Sequence, residues 1–360
     1  MTVTSTGSKV SAHPPMRRLP RGTMWATLAL SALLSAGFFT LLMFSGSTSD
    51  FNIVGTVIVA AVIYVALSFV MSRLVEGRRR SSDRLATGLV TSAFVVALLP
   101  LISLVWTAVS NGLNRFDAEF FNSSMRNVVG AGGGGLHAII GTLEITAAAT
   151  VISVPIGIMT AVYLVEYGRG RLSRMITTLV DVMTGIPSIV AGLFAFALFA
   201  LFFGPGIRFG IGGAVALSVL MIPVVVRSTE EMLKIVPNEL REASLALGVP
   251  KWATVVKVVL PTAIGGIITG VMIAISRIIG ETAPLLIIAG MSTSMNYNLF
   301  SDRMATLPVF VYTQYSNQGA DTQAYLDRAW AGALVLIVIV MVLNILARIL
   351  SKVLAPKGSR

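Results

Sequence analysis

Eight long apolar runs limit what this chain can become: 24–44, 53–71, 86–109, 139–165, 176–203, 209–227, 257–279 and 330–350. Crossing the hydrocarbon core of a bilayer takes about 20 consecutive, mostly apolar residues in a helix. Inside lipid every backbone N–H and C=O must find a partner within the chain, which leaves helices or closed barrels. Runs of this length are helical, so the chain is expected to be an all-α integral membrane protein. Of its residues 55% are hydrophobic and 12% charged, against about 25% charged in an ordinary soluble domain. The first run is too long, and too closely followed by others, to be a cleaved signal peptide.

The basic residues orient these spans, because cytoplasmic loops retain Lys and Arg. With the N-terminus inside, most of the 27 Lys and Arg fall in the inside segments. Only Arg115, Arg126, Arg208, Arg303 and Arg328 fall outside, and Arg277 lies within a span. Both termini are then cytoplasmic. The formal net charge of +11 reflects this orientation and contact with membrane lipid. It is not a nucleic-acid footprint, since no basic face with a recognition motif accompanies it. There is no cysteine, which excludes disulfides and thiolate metal sites, and the only histidines, His13 and His137, are far apart.

The expected organisation follows. Residues 1–22 form a basic, Ser/Thr/Pro-rich disordered cytoplasmic tail. A transmembrane hairpin spans 23–72, turning through the short external loop 45–52. A basic cytoplasmic loop, 73–85, carries Arg73, Arg78, Arg79, Arg80 and Arg84 as a topology anchor. A six-span core occupies 86–351, and 352–360 is a second cytoplasmic tail. Residues 132–135 are expected to be flexible glycine punctuation. They lack the downstream Gly-Lys-Ser/Thr of a phosphate-binding loop, so the chain is not its own ATPase. Residues 282–291 are apolar, with Pro284 and Gly290, and suit a re-entrant segment or a short helix in the outer mouth. The polar stretch from there to Arg328 suits an exposed surface for a delivering partner.

Ionisable residues inside a membrane are costly and usually face the interior of the bundle. Arg277 and Glu281, four apart in Ser276-Arg277-Ile278-Ile279-Gly280-Glu281-Thr282, would share a face of a continuous helix and could pair. Alternatively, Arg277 is a permanent cation on the route of an anion, its planar donor fork suited to an oxyanion. Arg227 ends a span on the inside, either as an anchor or on the same route. Asp181 precedes Thr184-Gly185-Ile186-Pro187-Ser188, where Gly and Pro invite a kink. Glu144 could simply pair with an internal Ser or Thr.

Within the cytoplasmic loop 228–256 lies a short polar island, Glu242-Ala243-Ser244-Leu245-Ala246-Leu247-Gly248. Asn238 is placed to cap a helix there, with Glu239 and Glu242 near the positive end of its dipole. Leu240, Ala243, Ser244 and Leu247 would share one face. Gly248 suits a left-handed C-terminus, and Pro250 stops the helix. A small apolar face held between two spans needs a groove on a partner to cover it.

The spacing of Glu242, Ala243, Ser244 and Gly248 ahead of Val258-Val259-Leu260-Pro261 resembles the loop by which bacterial ABC-importer permeases grip their ATPase. With Thr184–Ser188 and the stretch from Arg277 through Gly280-Glu281-Thr282-Ala283-Pro284, residues 86–350 resemble the PstA-type permease subunits of phosphate ABC importers. The resemblance implies a six-span type I ABC-importer permease core of the MetI-like kind, with the N-terminal two-helix hairpin as an addition. It implies a bacterial inner-membrane transporter subunit for inorganic phosphate, not an enzyme. The implied partners are a second homologous permease, two copies of a cytoplasmic ATP-binding subunit and an extracytoplasmic phosphate-binding protein. No cofactor is bound by this chain; ATP and Mg are used by the partner ATPase. It implicates Arg227 and Arg277, with Glu281 positioning the latter, in the substrate pathway, and Glu242, Ala243, Ser244, Leu247 and Gly248 in ATPase coupling. The alternatives are an ABC permease for another oxyanion or small polar solute, a secondary transporter, or a phosphate-sensing membrane protein. A secondary transporter would show inverted repeats and leaves the 242–248 island unexplained.

Overall fold

The computed structural model describes residue 20, residues 22–45 and residues 51–354. Most of the two expected tails and of the 45–52 turn lie outside the described residues. The regular elements among the described residues are all helices, in two compact units that divide between Trp106 and Thr107.

The first unit holds α1 (Thr23–Phe44), α2 (Ile53–Val75) and the first part of α3 (Arg78–Gly112). Its packing follows membrane logic, with small residues inside and large apolar ones outside. Along α1 the buried residues are Thr27, Ser31 and Ser35, four apart, while Leu30, Leu33 and Phe38 are exposed. Ser35 Oγ donates to the Thr56 carbonyl at 2.6 Å, tying α1 to α2. Gly55 lets Phe39 of α1 approach α2 closely, whereas Gly37 faces open space.

The expected basic loop at 73–85 is not a loop. α2 runs through Val75 and α3 begins at Arg78, so the turn is only Glu76 and Gly77, the latter at φ +88°. A left-handed glycine reverses the chain without a longer linker. Arg78, Arg79 and Arg80 therefore form the first turn of a helix.

The second unit takes the end of α3 and then a 3₁₀ turn (Leu113–Arg115), α4 (Ala118–Asn122) and α5 (Leu136–Val162), the last continuing into a π-turn (Tyr163–Tyr167). Next come α6 (Arg171–Thr184), α7 (Ser188–Phe203), α8 (Gly210–Ile235), α9 (Asn238–Ala246) and α10 (Lys251–Thr254). A second π-turn (Val255–Val259) leads into α11 (Leu260–Ile278), followed by α12 (Ala283–Ile288), α13 (Leu307–Ser316) and α14 (Thr322–Leu354). α8 is the central helix, buried along most of its length, with α5, α11, α7 and α12 packed around it. Its core joins Ile145, Leu217, Met221, Val225, Ile278 and Leu285.

Seven of the described helices are long and apolar enough to cross a membrane. The expected run 176–203 is not one straight span: α6 and α7 meet at 109°. Gly185 and Pro187 interrupt the ladder there, Pro187 having no N–H to continue it. α6 is amphipathic, whereas α7 is apolar throughout. At the C-terminal end α14 continues to Leu354, into the stretch expected as a tail.

The glycine stretch is not flexible either. Residues 133–135 are buried. Arg115 donates to the Gly133 carbonyl at 2.5 Å, and Arg328, itself 1% exposed, donates to the carbonyls of Gly130 and Gly132 at 2.7 and 2.9 Å. Arg328 was expected on an exposed surface. It is buried instead: these carbonyls accept from its Nη1 and Gln314 Oε1 accepts from its Nε at 3.0 Å, while its Nη2 is buried with no hydrogen-bond partner among the described residues. The region after Gly290 likewise contributes core: Met304, Leu307, Val309 and Phe310 are buried.

Candidate functional site

α9 is short and exposed, and it is held at both flanks. Pro237 precedes it with extended backbone, and no side chain caps the helix. Asn238 is therefore the first helical residue and not the cap; its Oδ1 accepts from Arg241 at 3.2 Å. At the other end Gly248 adopts φ +78°, a left-handed conformation that a β-carbon strains. Its N–H donates to the Leu245 carbonyl at 2.9 Å, while Val249 N–H reaches the Ser244 carbonyl at 3.2 Å.

The residues expected to couple to an ATPase divide into two groups. Glu242, Ala243, Leu247 and Gly248 are exposed, Leu247 at 83%. Ser244 is buried, and its hydroxyl meets that of Thr254 at 2.9 Å. Ser244 thus holds α9 against α10 and is not part of the outward face on which the sequence placed it. The loop is also shorter than 228–256, since α8 continues through Ile235.

Arg241 was not singled out from the sequence, yet it anchors the helix. Its Nε donates to Glu166 Oε1 at 2.9 Å, and its other nitrogens reach the carbonyls of Val236 and Leu233 at 2.6 and 2.9 Å. Glu166, in the π-turn after α5, has a side chain only 7% exposed. Lys251 donates to the Glu166 carbonyl and lies 4.9 Å from the Tyr167 ring centroid. The two π-turns flank this junction, one ending α5 and the other leading into α11.

Arg227 is on α8 and is engaged by two carboxylates: Asp181 of α6, and Glu230 one turn on at 2.8 Å. Lys234 shares Glu230 at 2.7 Å. Asp181 therefore does not pair locally; it joins α6 to α8.

Arg277 and Glu281 do not pair. α11 ends at Ile278, and Ile279 with Gly280 turn the chain before Glu281, so the shared helical face is lost. Arg277 is exposed and Glu281 half-buried. Gly270 packs against Ser228, next to Arg227. Seven residues beyond that crossing, at 1.5 Å each, Arg277 lies about 10 Å further along the bundle. The two arginines thus stand at different levels of one helix pair. Glu144 does not find the Ser or Thr partner expected for it: its Oε2 is buried without a hydrogen bond.

The family model described as binding-protein-dependent transport system inner membrane component matches residues 153–360. "Phosphate transport system permease protein PstA 1" of Mycobacterium tuberculosis (strain CDC 1551 / Oshkosh) is 46% identical over 273 residues, 75% of this chain and 88% of that protein. "Phosphate transport system permease protein PstA" of Mycobacterium leprae is 45% identical over 281 residues, 77% of this chain and 90% of that protein. A solved structure of the MetNI methionine ABC transporter in an inward-facing conformation aligns with TM-score 0.48 and 21% identity, over 60% of this chain and 94% of that chain. With long apolar helices packed on a central one and a short exposed helix between two of them, the chain belongs to the binding-protein-dependent transport system inner membrane components, among the PstA-type permeases.

Proposed function

We propose that this chain is the permease subunit of an ABC importer for inorganic phosphate and forms half of its translocation pathway. The observation that carries this reading is the clamped, outward-facing α9 in a chain so similar to phosphate permeases. A rigid lever with an exposed face transmits motion; a floppy loop would absorb it. The distribution of Lys and Arg supports α9 and both termini on the cytoplasmic side.

The expected partners are an ATPase docked on α9, a second homologous permease and an extracytoplasmic phosphate-binding protein, with two ATPase copies per pair of permeases. The chain binds no cofactor; ATP and Mg belong to the ATPase. ATP binding closes the ATPases, α9 follows, and the clamp through Glu166 passes the movement to α5. Arg277, exposed and in no ion pair among the described residues, is the cation offered to phosphate at its level of the bundle. Arg227 is held by Asp181 and Glu230 and meets the anion only after one of them lets go.

The test is purification of the tagged chain from its native membrane. The expected result is co-purification of an ATPase whose turnover rises with phosphate and the binding protein. Stimulation by sulfate or molybdate instead of phosphate would reassign the substrate, and absence of an ATPase would overturn the reading.

A further inference from the structure

The first unit contains two cavities that share a wall. One, of about 530 Å³, is lined by Glu76, Arg80, Asp83 and Arg84 around the α2–α3 turn, with Met24 and Tyr64. The other, of about 280 Å³, is an almost wholly apolar slot between α1, α2 and α3, lined by residues such as Leu28, Ala32, Val57, Ala60 and Val95. Tyr64 and Thr91 line both. A charged mouth beside an apolar slot, on the two sides of Tyr64 and Thr91, matches the two ends of one amphiphile.

The charges select among amphiphiles. Arg84 is already consumed: its Nε lies 2.9 Å from Glu76 Oε2, and its Nη2 donates to Glu76 Oε1 at 2.9 Å. Ser72 completes that floor with a 3.0 Å bond to Glu76 Oε2. Arg80 and Asp83 also face the mouth, and neither forms an ion pair among the described residues. Three apart on a helix, their Cβ atoms are neighbours at about 5–6 Å. Among the described residues, the mouth thus offers a cation and an anion that are in no ion pair, Arg80 and Asp83. Lipid tails are as apolar as the slot, so the slot fixes the position of a chain without much favouring it over the bilayer. Selection falls to the headgroup.

We propose that this unit holds a phosphatidylethanolamine molecule, with its phosphate on Arg80, its ammonium on Asp83 and one acyl chain in the slot beside Ala60. An anionic lipid satisfies Arg80 and is repelled by Asp83. A choline headgroup offers Asp83 no N–H donor. Inorganic phosphate leaves the slot unused.

Native mass spectrometry of the full chain, reconstituted with phosphatidylethanolamine, phosphatidylglycerol and phosphatidylcholine in equal parts, tests this. The expected result is phosphatidylethanolamine retained at least tenfold over the others. Arg80→Ala and Asp83→Asn should each abolish the preference, and Ala60→Leu should lower retention of all three lipids. Circular dichroism and thermal melts that match the parent chain show that each variant is folded. Equal retention of phosphatidylglycerol, an unchanged preference in folded Arg80→Ala and Asp83→Asn variants, or displacement of the lipid by inorganic phosphate overturns the assignment.

Discussion

Arg241 and Glu166 stand 75 residues apart in sequence and meet at 2.9 Å, joining the helix between α8 and α10 to the end of α5. Both side chains are largely buried, so the pair works in a low dielectric, and losing one partner strands the other. Glu166→Gln should destabilise the purified chain by about 1.5–3 kcal/mol, the worth of a charged hydrogen bond. Uptake should fall more than ATPase binding does, because α9 remains exposed but loses its link to α5. Thermal melts and transport assays on the same preparation check this. A variant with normal stability and normal uptake would remove the clamp from the mechanism.

Glu242 is exposed on α9 and forms no hydrogen bond or ion pair among the described residues. Glu242→Lys should leave the chain in the membrane with an unchanged melt and strip off the ATPase. Gly248→Ala should cost about 1–2 kcal/mol through its left-handed backbone, with a partial loss of ATPase. Pull-downs from membranes distinguish the two variants.

Arg277→Ala should lower phosphate uptake at least tenfold, equivalent to roughly 1.4 kcal/mol of lost anion stabilisation. Assembly and basal ATP hydrolysis should persist, because Arg277 has no ion-pair partner among the described residues to abandon. Glu281→Gln should have the smaller effect. Uptake close to the parent level in Arg277→Ala would take this residue off the route.

Asp181→Asn releases one of the two carboxylates that hold Arg227. If Arg227 meets phosphate, competition for it weakens and KM for phosphate should fall several-fold, while Arg227→Ala abolishes uptake. An unchanged KM in Asp181→Asn marks the pair as a strut between α6 and α8.

A chain lacking residues 1–72 should still reach the membrane with its remaining spans oriented as before, since two spans are lost together. It should transport phosphate at reduced abundance. An assembled, ATP-hydrolysing complex of this shortened chain with no uptake would place the hairpin in the pathway.

The long helices were legible in the sequence because bilayer thickness imposes a length that composition reports directly. Gly248 was legible too, since its left-handed geometry belongs to the local chain. What the sequence misplaced depended on distant partners. Ser244 turned inward because Thr254 waits there, and Arg328 is buried because backbone carbonyls nearly 200 residues away accept from it. Arg241 carried no local signal at all, its main partner lying on another helix. The Arg277–Glu281 pairing failed for a local reason: α11 ends at Ile278, and the turn at Ile279 and Gly280 separates the two side chains.

The bend between α6 and α7 gives the importer a dependence on its bilayer. α7 has 16 residues, which at 1.5 Å each span about 24 Å, short of the roughly 30 Å hydrocarbon core. Because α6 leaves it at 109°, α7 cannot borrow length from its neighbour. With the bent pair α6–α7 counted as one broken span, the mismatch is met by thinning of the lipid or by the flanks of α7 reaching toward the interface, at fractions of a kcal/mol per Å. Membranes with longer acyl chains load this one helix first, and α7 holds α12, the segment that follows Glu281. Bilayer thickness is thereby coupled to the position of α12 and of Glu281 just before it.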